Sequence, residues 1–584
     1  MLRDPDRPRI LQRQLVPSPA QAREIYYRVH GIPFNAKPPP RGNSRLSSLA
    51  DFQFDNDHGG TQVGGRLNGL HLVSSRIDGS ISGDDAVAYL EWTVEFRNSS
   101  TIDRETRLQL ALPPNAVVSR STLWVNGEER EAAYGGRGEV RAAYQRVAVR
   151  ERRDPLLVTT KGADRVMAQA FPVPRNGGTI KFKLGISAPL EMVDVSRARL
   201  TLPAIVDRNF SFPDDLRHNV WIEGRQAFAT STEGLSPRRV EPRLYRVTGS
   251  IDDSELARAR ATITVDRNPN SDRLAARIGD AEIVVQELKR GGREPFSAFM
   301  LVIDGSASVV GLIPELVKAL DAIPAGSKVG VIIATDPLRV LPVAPWTPEQ
   351  EHSLTKLLRS TAFVGGQDNT PALTEALRQL EPEPRAALLW IHGPQPVRFG
   401  GSAASLEQVT TRLSRFPDVT LYAVEPGPNE LLPDAPWVWR AHSLPRTAAM
   451  ATDLSDFFAR ASGQGEAYAI LRMQSEAADG LPKGSDHIAR LWANERVLDL
   501  IQRNLPGNRA AAVALAARYQ LVTPVSGAVV LETQQQYEES RLTPVSQGTV
   551  PTVPEPHEWA LALIALAGSG WLLWSNRQRL VVTA

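Results

Sequence analysis

The chain has 584 residues, which is too long for one hydrophobic core and predicts three to four domains at about 150 residues each. Hydrophobic residues make up 42% and charged residues 23%, which is typical of globular proteins and excludes collagen-like, fully disordered and multi-pass membrane chains. Lys plus Arg number 67 and Asp plus Glu 65, so the formal net charge of +2 gives no overall field for binding nucleic acid. The chain has no cysteine, which excludes disulfides, thiolate metal sites and cysteine nucleophiles.

The first 60 residues are rich in turn-forming residues. They contain the proline run Pro38–Pro40 and a stretch of Ser, Asp, Asn and Gly from Gly42 to Gly60. This composition predicts a poorly ordered arm over residues 1–60. The first residues lack the continuous apolar core and small-residue cleavage site of a secretory signal, so we expect none at this start.

Apolar and polar residues alternate from Gly69 to Leu190, as in Ala88 to Asn98. This period of two predicts half-buried antiparallel strands, and Asn126-Gly127 predicts a hairpin turn between two of them. The charged stretch from Glu128 to Arg153 carries Ala and Tyr at helical spacing. We therefore predict a β-sandwich with one inserted helix over residues 61–250.

Four short segments follow one another inside this region: LALPPNA at Leu110–Ala116, WVNG at Trp124–Gly127, AAYQ at Ala142–Gln145 and QAFPVP at Gln169–Pro174. Their order and spacing resemble the VIT domain (vault protein inter-alpha-trypsin). The resemblance implies that these are core and turn positions of a supporting domain. We assign no chemistry to them.

Continuous apolar runs separated by helical stretches replace the alternation between Phe296 and Gly463. The runs lie at 299–303, 329–334, 387–391 and 419–424. Such strands are buried on both faces of a parallel sheet, and their alternation with helices predicts a doubly wound α/β domain over residues 295–463. Ligands of such domains bind beyond the carboxyl ends of the strands.

Three short oxygen-bearing side chains, Asp304, Ser306 and Ser308, directly follow the first of these runs. Oxygens at alternate positions after a strand can converge on a hard cation such as Mg²⁺. The alternative on local grounds is a turn that caps the following helix, because Asp and Ser are common in both settings.

The Gly-rich segment Gly365–Thr370 follows this motif at a distance, and strand, DGSAS motif, helix and Gly-rich segment together resemble a von Willebrand factor A domain. The resemblance implies a metal-ion-dependent adhesion site for Mg²⁺ or Mn²⁺ built from Asp304, Ser306, Ser308 and Thr370. A third motif of the family places an Asp at the end of the fourth strand. At that position this chain has His392. Imidazole is a poor Mg²⁺ ligand and restores no negative charge, so the predicted site is incomplete, with Asp368 as the carboxylate that could compensate.

Two amphipathic helices, at His487 to Ile501 and at Ala510 to Tyr519, precede the stretch Tyr519–Ser526. They resemble the segment that follows the A domain in bacterial VIT and von Willebrand A proteins. We predict a helical and extended segment over residues 464–540, after the A domain.

The chain then predicts a Pro-rich linker over residues 541–558 and an uncharged apolar segment over 559–574. Trp559 and Trp574 bracket the apolar segment, and Arg577 and Arg579 follow it, as expected for a transmembrane helix with a cytoplasmic basic tail over 575–584. The alternative is a short buried core helix. The predicted body of the protein is then extracytoplasmic, on a single C-terminal span.

The linker contains Pro554, Glu555 and Pro556 directly before the apolar segment and the arginines. These three parts in this order resemble the PEP-CTERM sorting signal of bacterial exosortase substrates. The resemblance implies processing by an exosortase and delivery to the cell surface.

The chain contains no HExxH, GxxxxGK[ST], strand-associated GxGxxG or GxSxG motif, and we expect no enzymatic activity. The hypothesis is a multidomain, membrane-anchored bacterial surface protein that has no nucleic-acid partner. It binds a protein partner through the predicted von Willebrand A-like domain over residues 295–463, called the A-like domain below. An acidic side chain of the partner would complete the coordination of a bound metal. The alternative is a metal-free scaffold or assembly component of the membrane or sorting apparatus with no adhesive role, which His392 and the lack of a signal sequence favour.

Overall fold

The structure is a computed structural model that describes residues 17–37 and 60–545, except 152, 154, 260, 279–281, 414, 432–440, 447–448, 479 and 504. Within these residues, no helix combines the length and hydrophobicity needed to cross a bilayer. The predicted sorting motif (Pro554, Glu555, Pro556), transmembrane helix and basic tail lie outside the described residues.

The strands up to the A-like domain are β1 (Leu70–Ser82), β2 (Val87–Asn98), β3 (Arg104–Ala111), β4 (Val117–Val125), β5 (Glu128–Glu131), β6 (Ala133–Gly136), β7 (Leu156–Thr160), β8 (Arg165–Val173), β9 (Thr179–Pro189), β10 (Glu191–Asp194), β11 (Arg197–Thr201), β12 (Ala204–Arg208), β13 (His218–Gly224), β14 (Phe228–Ala229), β15 (Leu235–Glu241), β16 (Leu244–Ile251), β17 (Thr262–Asp266), β18 (Arg273–Ile278) and β19 (Glu282–Gly292). The remaining strands are β20 (Ala298–Asp304), β21 (Lys328–Ala334), β22 (Arg339–Pro345), β23 (Ala386–His392), β24 (Asp418–Ala423), β25 (His442–Ser443), β26 (Glu466–Ser475) and β27 (Ser526–Val530).

The helices are α1 (Pro19–His30), α2 (Arg137–Gln145), α3 (Asp253–Ala259), α4 (Ile313–Leu320), α5 (Pro348–Ser360), α6 (Thr370–Leu380), α7 (Gly400–Arg412), α8 (Met450–Ala461), α9 (His487–Arg503), α10 (Asn508–Arg518) and α11 (Gln534–Ser540). A π-helical turn (Arg146–Glu151) extends α2, and a 3₁₀ turn (Ala307–Leu312) precedes α4.

The N-terminal half forms a sandwich of two large sheets. An eight-stranded sheet has the order β15-β16-β13-β1-β2-β9-β4-β5, and a six-stranded sheet has the order β12-β3-β8-β7-β27-β6. Trp92 and Phe96 of the first sheet and Leu108 and Val158 of the second share one buried core. The alternation along these strands therefore buries one side of each sheet, as predicted.

The sandwich extends beyond residue 250, its predicted end. Its core includes Val265 from β17, and Ala528 and Val530 from β27, which lies far along the chain. β27 pairs antiparallel with β6 on one side and β7 on the other, and all five of its residues are buried. Residues 526–530 of the predicted helical and extended segment therefore form part of the sandwich, because their apolar run is buried between two strands that lie far away in the sequence.

The prediction of a poorly ordered arm is also wrong in part, because residues 19–30 form helix α1. Ser18 begins the helix with a capping box: its hydroxyl accepts the Gln21 backbone N–H at 3.3 Å, and the Gln21 side chain accepts the Ser18 N–H at 2.9 Å. Gly31, with φ of 70°, ends the helix. The average composition of residues 1–60 hides these local signals.

The A-like domain is a six-stranded sheet with the order β22-β21-β20-β23-β24-β25, parallel except for the edge strand β22. Side chains of β20 alternate between two cores: Leu301 packs on the side of α4, α5 and α8, and Met300 on the side of α6. Helices on both faces of a mostly parallel sheet agree with the predicted doubly wound domain. The strand order reverses between β20 and β23, which places a ligand-binding crevice at their carboxyl ends.

Two smaller sheets complete the described structure: β10-β11-β17-β14 and β18-β19-β26. Helices α9 and α10 pack on the second of these and on the sandwich, where Ile488 and Ala516 share a core with Val117. The predicted amphipathic helices after the A-like domain thus bury their apolar faces against both neighbours.

Candidate functional site

The candidate site lies where β20 and β23 end, at the reversal of strand order. Asp304 is the last residue of β20 and His392 the last residue of β23. The other predicted residues come from the turn after β20, which contains Ser306 and Ser308, and from Thr370, the first residue of α6. The fold therefore brings the predicted segments to one edge of the sheet.

The Asp304 carboxylate is completely buried and accepts five hydrogen bonds. Its Oδ1 accepts from the Ser306 backbone N–H at 3.0 Å, the Ser306 hydroxyl at 2.6 Å and the Asn369 amide at 2.9 Å. Its Oδ2 accepts from the Gly393 backbone N–H at 3.0 Å and the Gln395 amide at 3.1 Å. A carboxylate offers about four lone-pair directions, so these five donors saturate it.

Asn369 and Gln395 are residues of the candidate site that the sequence did not predict. The Asn369 side chain is held in place because its Oδ1 accepts the Trp390 indole N–H at 3.0 Å. Asn369 stands next to the predicted Thr370, so the GGQDNT motif contained a signal for it, whereas Gln395 had none. Burial raises the pKa of Asp304, while the hydrogen bonds from Asn369, Ser306 and Gly393 oppose that rise.

The remaining predicted residues lie around this carboxylate with other partners. The Ser306 hydroxyl also accepts the Gln367 backbone N–H at 2.8 Å. Asp368 accepts the Thr370 backbone N–H at 2.9 Å, so this carboxylate caps the start of α6. The Ser308 hydroxyl has no hydrogen-bond partner, and a Cβ atom placed on Gly393 would lie 2.2 Å from it.

His392 is a buried core residue. Its Nδ1–H donates to the Gly393 carbonyl at 2.8 Å, and its ring lies 4.1 Å from the Trp390 ring, centroid to centroid. Burial lowers the pKa of His392 to about 3, so the imidazole is neutral at physiological pH. The third-motif position therefore contributes neither a charge nor a carboxylate.

The neutral His392 predicts a loss of stability in acid. Its folded-state pKa of about 3 lies below the ordinary value of 6.5, so between these values the unfolded chain binds the extra proton. We expect the melting temperature of the wild-type protein to fall as the pH drops from about 6.5 toward 3. The melting temperature of the His392→Asn variant should fall less between neutral pH and about pH 5. Thermal melts of both proteins at the two pH values test this. An equal drop for both would show that His392 does not contribute to acid sensitivity.

Helix α1, near the start of the chain, covers the site. Tyr27 is 0% exposed, and its hydroxyl donates to the Pro394 carbonyl at 2.9 Å and accepts the Gln395 amide at 3.1 Å. The same hydroxyl lies 3.4 Å from the Ser306 hydroxyl. Burial, followed by the nearby negative charge of Asp304, raises the pKa of Tyr27 far above its ordinary value. The phenol therefore stays protonated over the buried carboxylate.

The residues present do not fit a divalent cation. N–H and O–H donors occupy the lone pairs of Asp304 that a metal would need, and they direct protons toward the carboxylate. Within the described residues, no cluster of three His, Cys, Asp or Glu side chains could hold a metal. Ser308 Oγ and Gln395 Oε1 lack partners but are neutral oxygens, which supply no charge for Mg²⁺ or Mn²⁺.

The family model of the Vault protein inter-alpha-trypsin domain matches residues 72–186, from β1 to β9. This match confirms the predicted VIT domain in that part of the chain. No curated protein matches the sequence.

Several solved structures resemble parts of the chain. A von Willebrand factor type A protein from Catenulispora acidiphila has 15% identity over 32% of this chain and 46% of that chain, with a TM-score of 0.25. BatB from Bacteroides thetaiotaomicron has 16% identity over 22% of this chain and 65% of that chain, with a TM-score of 0.18. The pilus adhesin SpaC from Lactobacillus rhamnosus has 11% identity over 32% of each chain, with a TM-score of 0.21. The chain thus spans less than two thirds of each, and at these TM-scores no functional argument rests on them.

Proposed function

We propose that this chain is a protein-interaction protein in which the VIT-like sandwich supports an A-like domain that binds its partner without a metal. The observation that carries the proposal is the saturated Asp304 carboxylate, which accepts five protein donors at the position of an adhesion-type metal site. This geometry favours partner binding without a metal over the metal-assisted binding expected from the sequence.

Exposed apolar side chains at the same edge support binding to a protein. Ile25 and Val29 of α1 are 52% and 65% exposed, and Val310 and Val364 are 52% and 59% exposed. Their segments meet through backbone hydrogen bonds, from Ala307 N to Gly365 O at 2.9 Å and from Gly366 N to Arg28 O at 3.3 Å. Exposed apolar surface gathered in one place is typical of protein interaction sites.

The membrane anchor and sorting signal belong to the proposal and rest on the sequence alone. An uncharged segment bracketed by Trp559 and Trp574, with Arg577 and Arg579 after it, favours a single span with the body outside the cytoplasm. The Pro-Glu-Pro motif at 554–556 favours processing by an exosortase. The alternative is a scaffold of the sorting apparatus.

Site-specific photo-crosslinking in cells tests the interaction surface. A photoreactive residue replaces Val364 in one variant and Val340, a 41% exposed valine of the edge strand β22, in a matched control. We expect a discrete cross-linked protein adduct from position 364 and none from position 340, with equal yield in chelator and in Mg²⁺. Adducts that need Mg²⁺, or that form equally at both positions, would contradict the proposal.

Protease treatment of intact spheroplasts tests the orientation. If the body is extracytoplasmic, we expect added protease to degrade residues 60–540 while cytoplasmic marker proteins survive. Survival of this region in intact spheroplasts, with degradation after lysis, would favour the scaffold alternative.

A further inference from the structure

Helix α1 contacts the A-like domain through one deeply buried side chain. Among its described side chains, Tyr27 is fully buried, whereas Ile25 and Val29 remain mostly exposed. A helix that docks by packing would bury a stripe of apolar residues at spacings of three and four. The contact therefore resembles the insertion of a single ligand group into a prepared pocket.

The pocket matches a phenol in shape. Gly366 forms one wall, and a Cβ atom placed there would lie 2.6 Å from three atoms of the Tyr27 ring. The Phe399 ring lies 6.5 Å from the Tyr27 ring, and the Arg28 guanidinium covers Phe399 at 4.3 Å from its centroid. Only a glycine at position 366 leaves room for the flat ring.

The pocket also matches a phenol in hydrogen bonding. The Pro394 carbonyl accepts from the Tyr27 hydroxyl and the Gln395 amide donates to it, so one neutral hydroxyl satisfies both groups. A phenylalanine ring would leave the Pro394 carbonyl without this donor and one N–H of the Gln395 amide without this acceptor. The buried carboxylate of Asp304, which shares the Gln395 amide, disfavours an anionic ligand such as a phosphorylated tyrosine.

We infer that this pocket is a recognition site for an unmodified tyrosine side chain of a protein, and that α1 is its resident ligand in the same chain. A partner segment with a tyrosine takes the place of α1 in the pocket, and the exposed Val310 and Val364, which do not belong to α1, remain at this edge to contact it. The inference deepens the proposed function by naming the group that the A-like domain recognises. It explains why the pocket offers a matched donor and acceptor instead of a metal.

Peptide titration of the full-length Tyr27→Ala protein tests the inference. The probe is a synthetic peptide of residues 17–37, and we expect it to bind the variant but to bind the wild-type protein at least about tenfold more weakly, because Tyr27 fills the wild-type pocket. We expect a peptide with Tyr27→Phe to bind about tenfold more weakly than the tyrosine peptide, since it loses the hydrogen bonds to the Pro394 carbonyl and the Gln395 amide. Peptides with Tyr27→Ala or phosphorylated Tyr27 should not bind. Equal binding of the tyrosine and alanine peptides would overturn the inference.

A second variant tests whether peptide binding needs the glycine that forms one wall of the pocket. Adding Gly366→Ala to Tyr27→Ala should abolish peptide binding, whereas Gly311→Ala, where a Cβ would meet nothing within 4 Å, should leave it unchanged. Failure of these titrations would not affect cross-linking from position 364, and absence of a cross-linked partner would not affect the titrations. The two proposals therefore fail separately.

Chemical labelling of the folded wild-type protein gives a test that needs no variant. Tyr26 is half-buried and Tyr27 fully buried in adjacent positions. We expect a tyrosine-nitrating reagent to modify Tyr26 and spare Tyr27, as measured by mass spectrometry of the protein's own proteolytic fragment that contains both tyrosines. Added excess of the 17–37 peptide should increase nitration of Tyr27, because the peptide displaces α1. Rapid nitration of Tyr27 without peptide would show that the pocket does not hold it.

Discussion

Asp304→Ala is expected to destabilise the A-like domain by about 3 kcal/mol or more, equally with and without Mg²⁺. The substitution leaves buried donors of Ser306, Asn369, Gly393 and Gln395 without an acceptor, and each unpaired buried group costs about 1–3 kcal/mol. Hydrogen exchange of the β20 and β23 amides in increasing urea measures the loss locally, which suits a chain of several domains.

A control variant and a measurement with Mg²⁺ distinguish a metal-free site from a metal-binding site. Asp321→Ala, at an exposed position after α4, should change the local stability by no more than about 0.5 kcal/mol. If millimolar Mg²⁺ stabilised the wild-type protein but not Asp304→Ala, a metal would compete successfully with the five donors. The metal-free version of the proposed function would then be wrong.

A chain that ends after Gln520 is expected to aggregate, whereas a chain that ends after Val545 is expected to fold. The shorter chain lacks β27, which supplies the fully buried Ala528, Val529 and Val530. Without it, β6 and β7 lose their shared neighbour and expose unpaired edges next to an open core. Each lost core side chain of this size costs about 1–3 kcal/mol, so the three together remove about 3–9 kcal/mol, a large part of the roughly 5–15 kcal/mol that stabilises a typical domain.

Size-exclusion chromatography and circular dichroism compare the two truncated chains. Both lack the Pro-rich and apolar C-terminal residues, so a difference between them reports on residues 521–545 alone. A monomeric, cooperatively melting chain that ends at Gln520 would show that β6 and β7 form the sandwich without β27. Val529→Asp in the full chain should reproduce the defect, because it places a charge in a fully buried position.

The sequence predicted the A-like domain well because its strands are apolar along their whole length. Buried parallel strands such as β20 and β23 carry this signal locally, and the doubly wound arrangement then sets where Asp304 and His392 lie. The VIT-like strands were predicted from alternation, which is also a local property. These parts of the fold needed no knowledge of distant partners.

The rest of the site could not be predicted because it joins segments that are far apart in sequence. Tyr27, Asp304 and Gln395 meet only in the folded chain, through hydrogen bonds between α1 and the loop after β23. Composition treated residues 1–60 as one stretch, although Ser18 and Gln21 encode a helix start. The pairing of β27 with β6 and β7 likewise depends on tertiary contacts that no local pattern reports.

The position of β27 between two strands of its sheet has a mechanical consequence. A pull on the C-terminal residues reaches β27 after the segment that contains the buried Tyr537 and Leu542, and β27 itself is held by antiparallel ladders on both sides. Such a strand must slide past two neighbours at once before it comes free, so the load spreads over many hydrogen bonds.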